Sequence, residues 1–209
     1  MSAQLKPYIT EESYLQRERA SLEKYEYYDG EVYALAGASE QHNSIAMNIA
    51  ALLHAHLRGR SCRAYPSDMR VKIVKTGLYT YPDFTIVCGQ SQFTESEKRD
   101  TLVNPTVIIE ILSPSTERYD RGLKFQHYRT MDTLQEYILV AQDTYHIERF
   151  THQENNEWLL SEAIGSKSRI PITAIQASFG LNDIYEQVLL APEMLLMRPH
   201  DHNDQTSEA

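Results

Sequence analysis

Apolar residues recur with helical spacing at Ile45, Ile49, Leu52 and Leu53, which predicts a long helix from Glu40 to about Leu57. A shorter helix is predicted over 10–22, where Thr10 can cap the N-terminus and Glu11 and Glu12 sit where the helix dipole favours acids. Between them, 25–28 and 31–35 read as strands around Asp29-Gly30, a dipeptide whose tolerance of positive φ marks a type I′ hairpin. Alternation along the second strand puts Glu31 and Tyr33 on one face. Short strands are predicted at 63–65, 69–74 and 80–88, then an exposed polar loop over 90–101. The run 107–112 is apolar at every position but one, the pattern of a central strand buried on both faces. Ser113-Pro114-Ser115-Thr116 ends it and caps a helix over 117–130. Further strands are expected at 136–141, 146–151 and 158–162, and a last short helix near 182–187.

Helices on both ends of a strand series, with a buried strand leading through a helix into another strand, imply a layered α/β fold with a mixed sheet. No GxGxxG or GxxxxGK[ST] motif is present, which argues against dinucleotide and P-loop chemistry. The length of 209 residues suits one domain over 1–197, followed by a polar tail at 198–209 that is expected to be disordered. No apolar run approaches the ~20 residues of a membrane span. Residues 1–10 lack a signal peptide's apolar stretch, and Cys62 and Cys88 lack CxxC spacing. The expectation is a cytoplasmic protein whose two cysteines are reduced, buried small hydrophobes, neither zinc ligands nor a disulfide.

A net charge of -9 works against tight non-specific nucleic-acid binding, which depends on Lys and Arg neutralising phosphates. Any such binding should be weak and should use local basic stretches: Arg58-Gly59-Arg60, Arg70-Val71-Lys72 and 118–124. The 14 tyrosines are scattered, so they read as sheet and interface residues and not as a base-stacking platform.

Candidate chemistry lies where charge interrupts the apolar runs. Asp83 follows Pro82 at the head of an apolar strand, and Glu110 stands inside Val107-Ile108-Ile109-Glu110-Ile111-Leu112. An unpaired carboxylate there must protonate or find a cation, and two carboxylates on neighbouring strands suit a divalent ion with oxygen preference. Lys124 lies on the following helix, with Asp120 one turn before it and Tyr128 one turn after. Glu31 is the candidate third acid. His42 could approach the site from the start of the long helix, although a histidine there is more often an ordinary surface or capping residue.

Pro82-Asp83 followed by Glu110-Ile111-Leu112 resembles the PD-(D/E)xK nuclease superfamily. More narrowly, Tyr25-Glu26-x-x-Asp29-Gly30-Glu31, His42-Asn43, Tyr81-Pro82-Asp83, the segment from Glu110 through Ser113-Pro114-Ser115-Thr116, and Lys124-x-x-x-Tyr128 look like the Uma-two family. The resemblance implies a restriction-endonuclease-like mixed β-sheet flanked by helices, with additional antiparallel strands. It implies Mg²⁺ or Mn²⁺ held by Asp83 and Glu110, a nucleic-acid substrate, DNA before RNA, and a homodimer. One departure matters: the superfamily pattern expects lysine where Leu112 stands, and the narrower resemblance supplies Lys124 in its place. The sequence thus leaves three readings: a metal-dependent endonuclease, a nuclease-fold binding or assembly module without turnover, and hydrolysis of a small phosphodiester instead of a polymer, which a closed pocket without a basic rim would favour.

Overall fold

The computed structural model describes residues 7–95 and 97–190, so the expectation for 198–209 lies outside the described residues. Helix α1 (Glu11–Ala20) begins as expected, with the Thr10 hydroxyl accepting the Ser13 backbone N–H at 3.2 Å. Strands β1 (Tyr25–Tyr28) and β2 (Glu31–Ala34) pair antiparallel around Asp29 and Gly30, whose φ angles of 45° and 82° make the type I′ turn. Helix α2 (Glu40–Leu57) is capped by Ser39 and buries Ile45, Ile49, Leu53 and Leu57, one residue per turn.

Next come β3 (Cys62–Pro66), β4 (Arg70–Ile73), β5 (Leu78–Thr80), β6 (Phe84–Cys88), β7 (Thr101–Leu102) and β8 (Val107–Ile111). A continuous helical segment follows, α3 (Glu117–Tyr119) passing through a π turn (Asp120–Lys124) into α4 (Phe125–Tyr128). The described residues end with β9 (Glu136–Val140), β10 (His146–His152), β11 (Trp158–Ile164), the hairpin β12 (Arg169–Ile172) and β13 (Ala177–Gly180), and the short helix α5 (Leu181–Ile184).

The strands form a six-stranded sheet in the order β11-β10-β9-β8-β6-β3, a five-stranded sheet in the order β2-β1-β5-β4-β7, and the separate β12-β13 hairpin. Within the larger sheet β8 runs parallel to β9 and antiparallel to β6, the mixed sheet that the sequence implies. Alternation divides β8 between two cores. Val107, Ile109 and Ile111 pack toward α2 and the β12-β13 hairpin. Ile108 and Leu112 pack with Val71, Ile73 and Leu78 of the smaller sheet and with Phe125 and Tyr128 of α4. Each such aliphatic side chain stabilises the fold by roughly 1.5–3 kcal/mol when fully buried. Glu110 shares the second face, so it lies at the seam between the two sheets.

Two expectations are corrected. The strand expected over 80–88 is two strands, β5 and β6, in different sheets. Pro82 has no N–H to give a ladder, and the chain crosses from one sheet to the other at Tyr81-Pro82-Asp83. The cysteines, expected to be reduced, form a disulfide. The antiparallel register of β3 and β6 sets Cys62 directly opposite Cys88, with Cα atoms 3.9 Å apart, a pairing that a separation of 26 residues conceals in the sequence. The cysteines therefore give no support to a reducing compartment. Among the described residues, no helix is long and apolar enough to cross a membrane.

Candidate active site

Three elements converge on Glu110. From its own strand, the carboxylate reaches in two directions. Oε1 accepts the Tyr128 hydroxyl at 2.9 Å and lies 2.9 Å from the Lys124 ammonium, while Oε2 faces the Asp83 backbone N–H at 3.4 Å. Lys124 comes from the π turn, which also directs Asp120 inward, 3.3 Å from the same ammonium. A π turn carries one residue more than an α turn and recurs at functional positions. Here both of its terminal side chains are buried. The Tyr137 hydroxyl holds the turn by donating to the Asp120 carbonyl at 3.1 Å.

The smaller sheet supplies Glu26, on β1, 3.5 Å from Lys124 and hydrogen-bonded by the Thr80 hydroxyl. Glu31 shares the sheet face of Glu26 but is exposed, and its carboxylate accepts the Tyr33 hydroxyl at 2.5 Å. It is not among the side chains that meet around Lys124.

Asp83 lies at the mouth. Its Oδ2 accepts the Ile111 backbone N–H at 2.7 Å and its Oδ1 is 3.2 Å from His42 Nε2. The site thus grades from partly open to closed: side-chain exposures are 18% for Asp83 and 16% for His42, against 5% for Glu110 and 7% for Lys124. The link carrying Asp83 is anchored by Tyr81, whose hydroxyl donates to Glu18 at 2.6 Å and accepts from Arg70 at 3.1 Å.

Electrostatics follow from burial. Desolvation pushes the Glu110 carboxyl up to about 8, with Lys124 opposing the rise and Asp120 and Asp83 adding to it. Burial works against the Lys124 charge too, yet Glu110, Glu26 and Asp120 hold its ammonium well above the usual lysine range. Three carboxylates, Glu26, Glu110 and Asp120, surround one ammonium, and Asp83 adds a fourth at the mouth, beside Glu110. That donor set, all oxygen at the Asp83–Glu110 end, fits a hard divalent cation. A separate group, His146, Glu148 and Glu162 on β10 and β11, has donor atoms within 4.8 Å of one another, but Glu148 is already paired with Arg121.

Residues 11–182 match the Uma2 family, described as "Putative restriction endonuclease". The chain belongs to that family. Two relatives from Synechocystis sp., each described as an uncharacterized protein, are 35% and 36% identical, over 86% and 78% of this chain and 92% and 91% of their own lengths. The fold matches a solved structure described as a "putative nuclease belonging to DUF820" from Anabaena variabilis, with TM-score 0.67 and 16% identity over 81% of this chain and 93% of that one. The architecture is therefore the restriction-endonuclease-like mixed α/β fold expected of Uma2.

Of the residues singled out in the Uma2 pattern, Asp83, Glu110 and Lys124 are brought together, and Leu112 is core. Sequence reasoning missed Glu26 and Asp120 as members. Both carried a signal: Glu26 is a carboxylate alternating with tyrosines on a strand, and Asp120 lies one turn from Lys124. His42, for which the sequence leaves open both an approach to the site and an ordinary surface or capping role, is the ring beside Asp83.

Proposed function

We propose that the protein is a metal-dependent endonuclease that hydrolyses phosphodiester bonds of nucleic acid, DNA before RNA. The observation that carries this reading is the 2.9 Å contact between Lys124 and Glu110, which supplies from a helix the lysine that Leu112 replaces on the strand. A nuclease-fold module without turnover would leave Lys124 free to face solvent. Its burial against three carboxylates favours the enzyme. Asp83 and Glu110 Oε2 would hold Mg²⁺ or Mn²⁺, which when bound supplies Lewis acidity toward a phosphodiester oxygen. Asp83 is fixed for this by the Ile111 N–H and by His42. Lys124 stabilises the negative charge that grows on the phosphate, from a water-poor position where such a charge acts strongly. Asp120 and Glu26 keep that lysine charged and oriented.

The test is cleavage of supercoiled, linear and single-stranded DNA and of RNA by purified protein with Mg²⁺ or Mn²⁺, beside calorimetric titration of metal into Asp83→Ala. Loss of cleavage with weakened metal binding in the variant is the expected result. No cleavage of any substrate by the parent protein, with metal affinity unchanged in Asp83→Ala, would overturn the reading.

A further inference from the structure

The three basic stretches that could contact phosphate do not survive folding equally. In the second, Arg70 is buried against Asp100 at 3.1 Å and Lys72 pairs with Glu11. In the third, Arg121 pairs with Glu117 at 2.8 Å and with Glu148, and Lys124 is buried in the site, leaving only Arg118 exposed. The first stretch stays open: Arg58 and Arg60 are exposed and make no ion pair among the described residues. Arg63 and Arg99, also exposed and without an ion pair among the described residues, join them there, Arg99 lying over the Phe93 ring at 4.7 Å.

These four arginines line two adjoining clefts that meet at Cys62. Arg58, Arg60 and Arg63 line one of about 470 Å³ whose wall includes Phe84. Arg60, Arg63 and Arg99 line the other, of about 230 Å³, beside Gln90 and Ser91. Phe84 directly follows Asp83 and pairs with Pro66 at the end of β3, so the strand that carries Arg63 runs toward Asp83. Arg63 is on β3, the outermost strand of the larger sheet, and the Cys62–Cys88 disulfide ties that strand to β6. On a chain of net charge -9, four unneutralised guanidinium groups in one place form a strongly polarised surface. Their planar forks suit phosphate oxygens.

We propose that Arg58, Arg60, Arg63 and Arg99 form the surface on which the phosphodiester backbone of the nucleic acid docks, leading it along the outer edge of β3 to Asp83. This rests on the endonuclease reading for its substrate class, but it is tested separately. Binding of a fluorescently labelled DNA duplex, and of a single strand, is followed by anisotropy in metal-free buffer across a salt series. The four arginines are changed to Gln singly and together, with Lys167→Gln as an exposed control away from the clefts. Each neutralised phosphate contributes about 0.9 to the slope of log affinity against log salt, so each single variant should lose about that much and the quadruple about 3 to 4. The quadruple variant should also bind about tenfold or more weakly at low salt, and Lys167→Gln should bind as the parent does.

Duplex and single-strand affinity and salt slope unchanged in the quadruple variant, or no binding of either probe by the parent, would overturn the docking surface. A parent that binds through these arginines but cuts nothing would overturn the endonuclease reading and leave the surface standing. A parent that cuts, with a quadruple variant that keeps its affinity, would do the reverse. Should the quadruple variant fail to melt cooperatively, the four single slopes decide.

Discussion

Glu110 concentrates the physical tension of the site in one side chain. Folding raises its carboxyl from 4.5 to about 8, so between those values the metal-free folded state binds a proton that the unfolded chain does not. Stability of the metal-free protein should therefore fall as pH climbs through that window. A divalent ion needs the carboxylate, so apparent Mn²⁺ affinity should rise by up to about tenfold per pH unit below 8 and level off above it. Calorimetric titration across that range checks this, and a flat profile would remove Glu110 from the ligand set. Lys124→Ala should slow cleavage by about a hundredfold or more while leaving the Asp83 end able to bind Mn²⁺. It should also destabilise the fold by about 3–5 kcal/mol, because three buried carboxylates lose their counter-charge. Steady-state cleavage and urea unfolding separate the two effects. Glu26→Gln and Glu31→Gln form a third pair: the first should depress cleavage by disturbing Lys124, whereas the second should stay within about twofold of the parent, since exposed substitutions rarely propagate. Equal losses in both would return Glu31 to the machinery. Asp83 and Glu110 stand out in the sequence because each interrupts an apolar run, and Lys124 because its helix follows the strand of Glu110 and the family resemblance points to it. The sequence hid Glu26 behind Glu31 because a hairpin's alternation tells which residues share a face and not how deeply each one is covered.

The π turn is the element that makes the helix useful. A helix over 117–130 was readable from the cap at Ser113 to Thr116 and from what followed, but the extra residue inside it was not, because α and π turns place similar residue types on their buried faces. Deleting Gly122 should convert the segment to regular α-helix and rotate α3 and Asp120 by about one residue, roughly 100°, against Lys124 and Tyr128. Circular dichroism should report unchanged helix content while cleavage is lost. Retained cleavage would show that Asp120 and Lys124 need not face Glu110 together. Leu112 illustrates the other side of the same economy. Strand alternation gives it the face of Glu110, and the sequence alone could not say that α4 would lie over it and place Phe125 and Tyr128 there. Leu112 is packed against them, and the cation comes from the helix.

At the scale of the molecule, the site belongs to neither sheet. Glu26 comes from the smaller sheet, Glu110 from the larger, and Lys124 from the helix packed between them on a shared core. The mixed α/β class was readable from element order, whereas the partition into two sheets was not, since it turns on a break at Pro82 inside what reads as one apolar strand. The β12-β13 hairpin and the cysteine pairing escaped for a related reason: both depend on contacts between segments whose individual patterns are unremarkable.

That break at Tyr81-Pro82-Asp83 fixes a length. One residue added between Thr80 and Phe84 would leave the ladders of β5 and β6 intact, because each strand pairs within its own sheet. It would, however, slide Asp83 off the Ile111 N–H and away from His42. Folding alone would accept a longer connection there, and loop closure would hardly notice it. Among relatives in this family, insertions should therefore be missing from the three-residue crossing and common in the exposed stretch after Cys88. An alignment that found the crossing as variable in length as that stretch would mean that Asp83 is held for packing and not for chemistry.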